Sequence, residues 1–252
     1  MTAHVEALVS SARNSRTRLA RSTILALIAC SVAAPAAGQV GATASIFSDQ
    51  RFRGYSLSDG RPIAMLDFAE DSSSGLYADG AGIAVFRRGG KPAPLGIQLG
   101  GGFAKRLTSG TTIDFGIAHS AYSHYSSGGQ RKSYTEVYAG IAHGILSSHI
   151  FLSPHYFVTG RWTAYGEINA SFSPAAKWSL LGHIGMLTPL RTPSGQTYHT
   201  NLDWQLGVSR ELGRVSLHAA WTGHGRAPQP FGSTVRHPQR KNTLVVGLTT
   251  AL

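Results

Sequence analysis

The chain has 252 residues, enough for one domain with a large core, yet only 14% of them are charged, against roughly 25% in ordinary soluble proteins. It is rich in glycine, with 30 residues, and carries a formal charge of +11. Such a balance is compatible with nucleic acid, with an anionic membrane surface, or with nothing specific.

Residues 1–38 read as an export signal. Arg13, Arg16, Arg18 and Arg21 make a basic start, "TILALIACSVAA" (23–34) an apolar run, and Ala36 and Gly38 the small-residue cleavage positions. A run of this length is too short to span a bilayer. Cys30, the only cysteine, lies in "LIAC", which also suits lipidation at a short apolar run; the downstream cleavage site is the better one. Cleavage leaves 19 basic and 11 acidic residues and no cysteine, so disulfides and thiol chemistry are excluded from residues 39–252.

"SDQRFRGYSLSDGRP" (48–62) comes next, with Arg51, Arg53 and Arg61 around aromatic and serine residues. It is no nucleotide-binding loop, because no helix pattern follows and no GxxxxGK[ST] occurs. From here on, apolar residues alternate with small or polar ones. Ile113, Phe115 and Ile117 share one side of 111–122, with Asp114, Gly116 and Ala118 on the other. Val137, Ala139 and Ile141 oppose Glu136, Tyr138 and Gly140. Leu202, Trp204, Leu206 and Val208 oppose Asn201, Asp203, Gln205 and Ser209. This is the period-2 pattern of strands.

About twelve such strands are expected: 41–51, 63–70, 75–86, 95–106, 111–122, 134–145, 148–155, 163–173, 176–188, 198–211, 214–223 and 242–252. Long connections alternate with short ones, the short ones being "EDSSS", "LTSG", "LSS", "SPA" and "LGR". A soluble sandwich and an outer-membrane barrel both produce such strands. The small and charged residues of the second face, the strand lengths and the alternation of loops favour the barrel. Lipid offers no hydrogen-bond partner, so such a sheet must close on itself. The fold expected is therefore all-β, a transmembrane antiparallel up-and-down β-barrel of about twelve strands over residues 39–252.

The signs of charge separate. Arg51, Arg53, Arg61, Arg87, Arg88, Arg131 and Lys132 fall in or beside long connections and are expected at a basic outer mouth. Such a mouth attracts anions, or else grips lipopolysaccharide phosphates and pairs with Asp49 and Asp59. Asp114, Glu136, Glu167 and Asp203 fall on the polar faces and are expected as lumen acids, either a filter or a bracing network. Trp178, Trp204 and Trp221 suit aromatic girdles. His119 continues the lipid-facing row near Ser120 and Ser123. Ser120 points to the other face and no acid orients the imidazole, so a lipid-modifying enzyme is the weakest reading. No metal-ligand spacing occurs, and no cofactor is expected. The loop 224–241, with its prolines and Phe231, is the expected plug or lid.

The stretch 48–62 resembles the opening motif of the TorF family of porins, proteobacterial outer-membrane barrels. The resemblance continues through "SSGLYADG" (73–80), "YTEVYAGIAHGI" (134–145), "LSPHYF" (152–157), "WSLLGHIGML" (178–187) and "LDWQLGVSRELG" (202–213). It implies a barrel in the bacterial outer membrane with passive transport, and it supplies no substrate or catalytic residue. Such barrels often end in Phe, whereas this chain ends in Leu252 with Thr250 nearby. The expected function is a passive channel for small solutes; the alternative is a structural or adhesive barrel with a blocked lumen that binds lipopolysaccharide. The expected partners are outer-membrane lipid, lipopolysaccharide, small solutes and the barrel-insertion machinery, and not nucleic acid. A narrow pore and a plugged lumen both remain compatible with about twelve strands.

Overall fold

Twelve of the strands anticipated by the alternation form a single closed sheet. The structure, a computed structural model, describes residues 39–123, 132–194, 197–225 and 240–252. The barrel strands are β1 (Gln39–Phe47), β4 (Ile63–Asp71), β5 (Leu76–Phe86), β6 (Pro92–Arg106), β7 (Thr112–Tyr122), β8 (Lys132–His143), β9 (Leu146–Ser153), β10 (Trp162–Ala175), β11 (Trp178–Arg191), β12 (Asn201–Leu212), β13 (Val215–His224) and β14 (Asn242–Ala251). Each pairs antiparallel with its neighbours in sequence, and β1 closes the ring against β14. Two further short strands, β2 (Arg51–Phe52) and β3 (Tyr55–Ser56), pair only with each other.

Closure leaves no free edge, which is what a sheet in hydrocarbon requires. Along each strand, alternate side chains point out. Leu206 is 66% exposed, and Ile150, Ile168, Ile184, Leu202, Leu244 and Val246 stand beside it on the outer wall. A belt of this kind is not a surface that water tolerates; it is the lipid-facing side of a transmembrane barrel. Trp162 and Trp178 point outward at opposite ends of the wall, as interfacial aromatics do, and Trp221 packs on Trp204 at 6.5 Å.

The connections 72–75, 107–111, 144–145, 176–177 and 213–214 lie at one end, together with Gln39 and Leu252; the other end carries the longer connections and the turn 87–91 between β5 and β6, which the sequence reading places as a long connection over 87–94. Two short turns also differ from the sequence reading. "LSS" (146–148) is not a turn but the start of β9, and "SPA" (173–175) belongs to β10. The chain reverses instead at Gly144, whose φ of +60° is the left-handed value that a two-residue hairpin needs. Ser147 then faces the lumen and satisfies the alternation, so its polarity marked a face rather than a turn. β1 likewise ends at Phe47 rather than at 51, because the chain leaves the wall there.

Most of the buried apolar residues lie inside the barrel in the half nearest the long connections, with Tyr77 nearer the other end. In the half nearest the long connections, Phe52, Tyr55 and Leu57 pack with Ile63, Val85, Leu95, Tyr122, Tyr134, Tyr156 and Phe157.

Candidate functional site

The first long connection, 48–62, folds into the barrel. Asp49 organises it: Ser56 and Ser58 donate their hydroxyls to Asp49 Oδ1 at 2.5 and 2.7 Å, and Arg51 Nε donates to Oδ2 at 2.8 Å. The tip is the two-residue turn Arg53-Gly54, with φ of +47° and +80°. Positive φ at both central positions gives the hairpin turn whose twist matches its strands. Glycine is needed at the second position. A β-carbon on Gly54 would sit 2.6 Å from the Gly223 carbonyl oxygen and 3.0 Å from Asp203 Cβ.

The turn drives Arg53 into the lumen. One guanidinium nitrogen donates to both carboxylate oxygens of Glu136, each at 2.8 Å. Glu136 is 1% exposed and Arg53 6%. The cation also lies 3.9 Å from the centre of the Tyr165 ring and 4.8 Å from that of Phe52, within the range of cation–π attraction. Burial by itself would lower the guanidinium. The Glu136 carboxylate beside it outweighs that and holds Arg53 above its usual value, so it remains charged. Tyr55 stacks on His224 with centroids 4.2 Å apart, and burial raises its hydroxyl above the usual tyrosine range, with Asp203 adding to the shift.

Below the hairpin, strand alternation brings Asp114, Glu136, Glu167 and Asp203 to the lumen, all buried. They belong to a connected network. His149 Nε2 is 3.4 Å from Asp114, and its Nδ1 is 3.8 Å from Glu167. Asn169 donates to Glu167 at 3.1 Å, and its carbonyl oxygen lies 2.7 Å from His183 Nδ1. His183 Nε2 reaches Asp203 at 2.9 Å, and the Tyr165 hydroxyl donates to the same carboxylate at 3.2 Å. The hydroxyls of Tyr77 and Tyr138 bond to each other, and that of Tyr77 lies 3.5 Å from Asp114. A void of about 40 Å³ separates Arg51 and Gly54 from Asp203, Glu167 and His183. It has room for a few water molecules and for no organic solute.

The basic residues expected at the mouth divide. Arg87 and Arg88 are exposed in the turn between β5 and β6, at the long-loop end. Arg61 is half-buried at the foot of the inserted loop. Arg51 is held by Asp49 and donates to the Gly54 carbonyl at 2.7 Å. Arg53 is no mouth residue. The turn carries it inward, where Glu136 offers the carboxylate that an exposed rim would replace with water. Lys132 opens β8 opposite Tyr122, and Arg131 lies outside the described residues, as does most of the loop expected to act as plug, at 226–239. The segment that fills the lumen in the described structure is 48–62. Phe52, Tyr55 and Leu57, three large apolar side chains alternating with polar ones inside a supposed surface loop, were the signal for it.

His119 lies half-buried on the outer wall with Nδ1 2.8 Å from the Thr135 hydroxyl, and Ser120 faces the lumen. Among the described residues no group of three His, Cys, Asp or Glu side chains could hold a metal ion.

A sequence profile of the Gcw_chp family, a bacterial protein family of unknown function, matches residues 32–251. The chain belongs to the Gcw_chp family. No curated protein matches it. Among solved structures, it is similar to OccAB1 of Acinetobacter baumannii at 11% identity and a TM-score of 0.44, covering 76% of this chain and 57% of that one. It is also similar to the β domain of the Bordetella autotransporter BrkA, at 13% identity and a TM-score of 0.42, covering 84% and 99%. A third is the outer membrane channel DcaP of Acinetobacter baumannii, at 8% identity and a TM-score of 0.36, covering 86% and 97%. The chain thus spans little more than half the length of OccAB1.

Proposed function

We propose that the protein is an outer-membrane barrel of the porin kind, a passive channel for small solutes whose aperture is set by its own first loop. The reading is carried by one observation: a closed, lipid-facing wall encloses a lumen that, among the described residues, is obstructed chiefly by a hairpin, 48–62, tied to that wall by the Arg53–Glu136 pair. Wall residues are fixed by the ladder, whereas a loop can leave the lumen without breaking it. The exposed arginines Arg87 and Arg88 bias entry toward anions, and Asp114, Glu167 and Asp203 form a second, cation-favouring layer below. The resemblance to the TorF porins, the export signal at 1–38 and residence in the outer membrane belong to the same reading.

A second reading is a structural barrel that binds lipopolysaccharide through its basic loops. The depth at which the hairpin is buried favours it. Planar-bilayer recordings separate the two. The double variant Arg53→Gln, Glu136→Gln is expected to give larger or longer-lived openings than the wild type. Silence from both refolded proteins rejects the channel and leaves the structural barrel.

A further inference from the structure

The outer wall is not evenly covered by large side chains. Where β1, β4, β5 and β6 lie side by side, several outward positions are small. Ala44 stands beside Leu66 and Leu66 beside Gly82; one row further along the strands, Ala64 stands beside Ala84 and Ala84 beside Pro94. Together they floor an open apolar groove of about 940 Å³ that runs across the strands, a size that accommodates organic ligands.

The groove reaches Pro92 and Pro94 at the long-loop end of the wall. Next to them is the turn 87–91, closed by hydrogen bonds from the Arg87 amide to the Lys91 carbonyl and from the Gly90 amide to the Arg87 carbonyl, each 2.9 Å. Arg87, Arg88 and Lys91 are all exposed on it, and no acidic residue occurs between Asp79 and Asp114. Lys91 is bonded directly to Pro92, so the cations and the groove are continuous.

A wall of Leu and Ile meets lipid chains along one side only. A groove meets a chain on its floor and on both flanks, and the contacts add with each methylene. The cations at its end call for an anion at the height where that chain would meet its head group. Arginine binds phosphate through a planar fork and lysine as a point charge. An apolar chain joined to a phosphate is an acylated, phosphorylated lipid. A second copy of the barrel is the poorer occupant, because a two-fold pairing groove to groove sets the same cations against each other.

We propose that the groove across β1, β4, β5 and β6 holds one acyl chain of lipopolysaccharide, with a lipid phosphate on the 87–91 turn. The proposal rests on residence in the outer membrane with the long-loop end outward, and it needs no open lumen. Silence in the bilayer therefore leaves it standing, and a failed lipid test leaves the channel reading standing.

The test is native mass spectrometry of the full mature protein, refolded in detergent and mixed with bisphosphorylated lipid A, with lipid A stripped of its phosphates, or with dioleoyl phosphatidylglycerol. One bisphosphorylated lipid A retained per barrel is expected, and the stripped lipid should bind at least about tenfold more weakly. A β-carbon on Gly82 meets nothing within 4 Å, so Gly82→Phe fills the groove without straining the fold and should weaken retention about tenfold or more. Gly166→Phe, equally open but on the outer face of β10, should leave retention unchanged. Arg88→Gln with Lys91→Gln should weaken the phosphorylated lipid and not the stripped one. No retention of lipid A overturns the site. Retention unchanged in Gly82→Phe overturns the groove and leaves the basic loops alone as the contact. Phosphatidylglycerol held as tightly as lipid A overturns the assignment to lipopolysaccharide. Dimers without lipid that Gly82→Phe abolishes would show that a second copy covers the groove, and would overturn the proposal.

Discussion

Arg53 and Glu136 lie 83 residues apart in sequence and meet inside the barrel, one nitrogen of the first bridging both oxygens of the second at 2.8 Å. The contact ties a loop to a wall, so it concerns the path through the lumen as well as stability. Removing one partner leaves a buried charge with no counter-ion. Glu136→Gln alone should therefore cost about 3–5 kcal/mol. The cost appears either as a lower unfolding temperature in detergent or as release of the hairpin, which limited proteolysis at 48–62 detects. Arg53→Met with Glu136→Leu should recover much of the loss, because an apolar pair needs no counter-charge. A single Glu136→Gln variant as stable and as protease-resistant as the wild type would contradict the pair's role.

Gly54 tests the docking without touching a charge. Its φ of +80° and the 2.6 Å approach of the Gly223 carbonyl oxygen leave no room for a side chain. Gly54→Ala should lift the tip away from β13 and make the hairpin cleavable, while circular dichroism still reports an intact barrel. Protection equal to the wild type would mean that the tip does not need this approach.

Tyr55 and Tyr156 give the docked loop a dependence on alkaline pH. Burial raises both hydroxyls above the ordinary value of 10.0. Up to that pH both stay protonated whether the loop is docked or free. Above it the free loop loses protons first, so rising pH favours release, and the stability of the docked state falls until the docked hydroxyls also ionise. Protease sensitivity of 48–62 should increase above about pH 10, and Tyr55→Phe should move that onset upward. An onset unchanged in Tyr55→Phe and in Tyr156→Phe would refute the assignment.

Leu206, at mid-height on the outer wall, tests the lipid-facing side. Leu206→Arg should destabilise the inserted barrel by about 2–4 kcal/mol, read as a shifted denaturant midpoint in lipid vesicles. Ser209→Lys, on the lumen face of the same strand, should cost much less. Equal costs at the two positions would mean that the outer wall does not meet hydrocarbon.

Much of the barrel was legible in the sequence because a strand's side-chain period is a local property. Ile113, Phe115 and Ile117 had to share a face, and Asp114, between them, had to take the other. The inward placement of Asp114, Glu136, Glu167 and Asp203 follows from that alternation alone. Turn position was less legible. Ser147 and Ser148 look like turn residues, yet they lie in a ladder whose reversal Gly144 had already made.

The inserted hairpin was misread because a loop's course depends on what it meets. Arg53 in water is an ordinary rim arginine; only Glu136, brought near by the closure of twelve strands, makes the lumen its better environment. The sequence by itself determined a lipid-facing wall, because alternation and the need for closed hydrogen bonding act strand by strand. What fills the space inside that wall was decided by the tertiary structure, because a buried charge settles wherever the fold supplies its counter-charge.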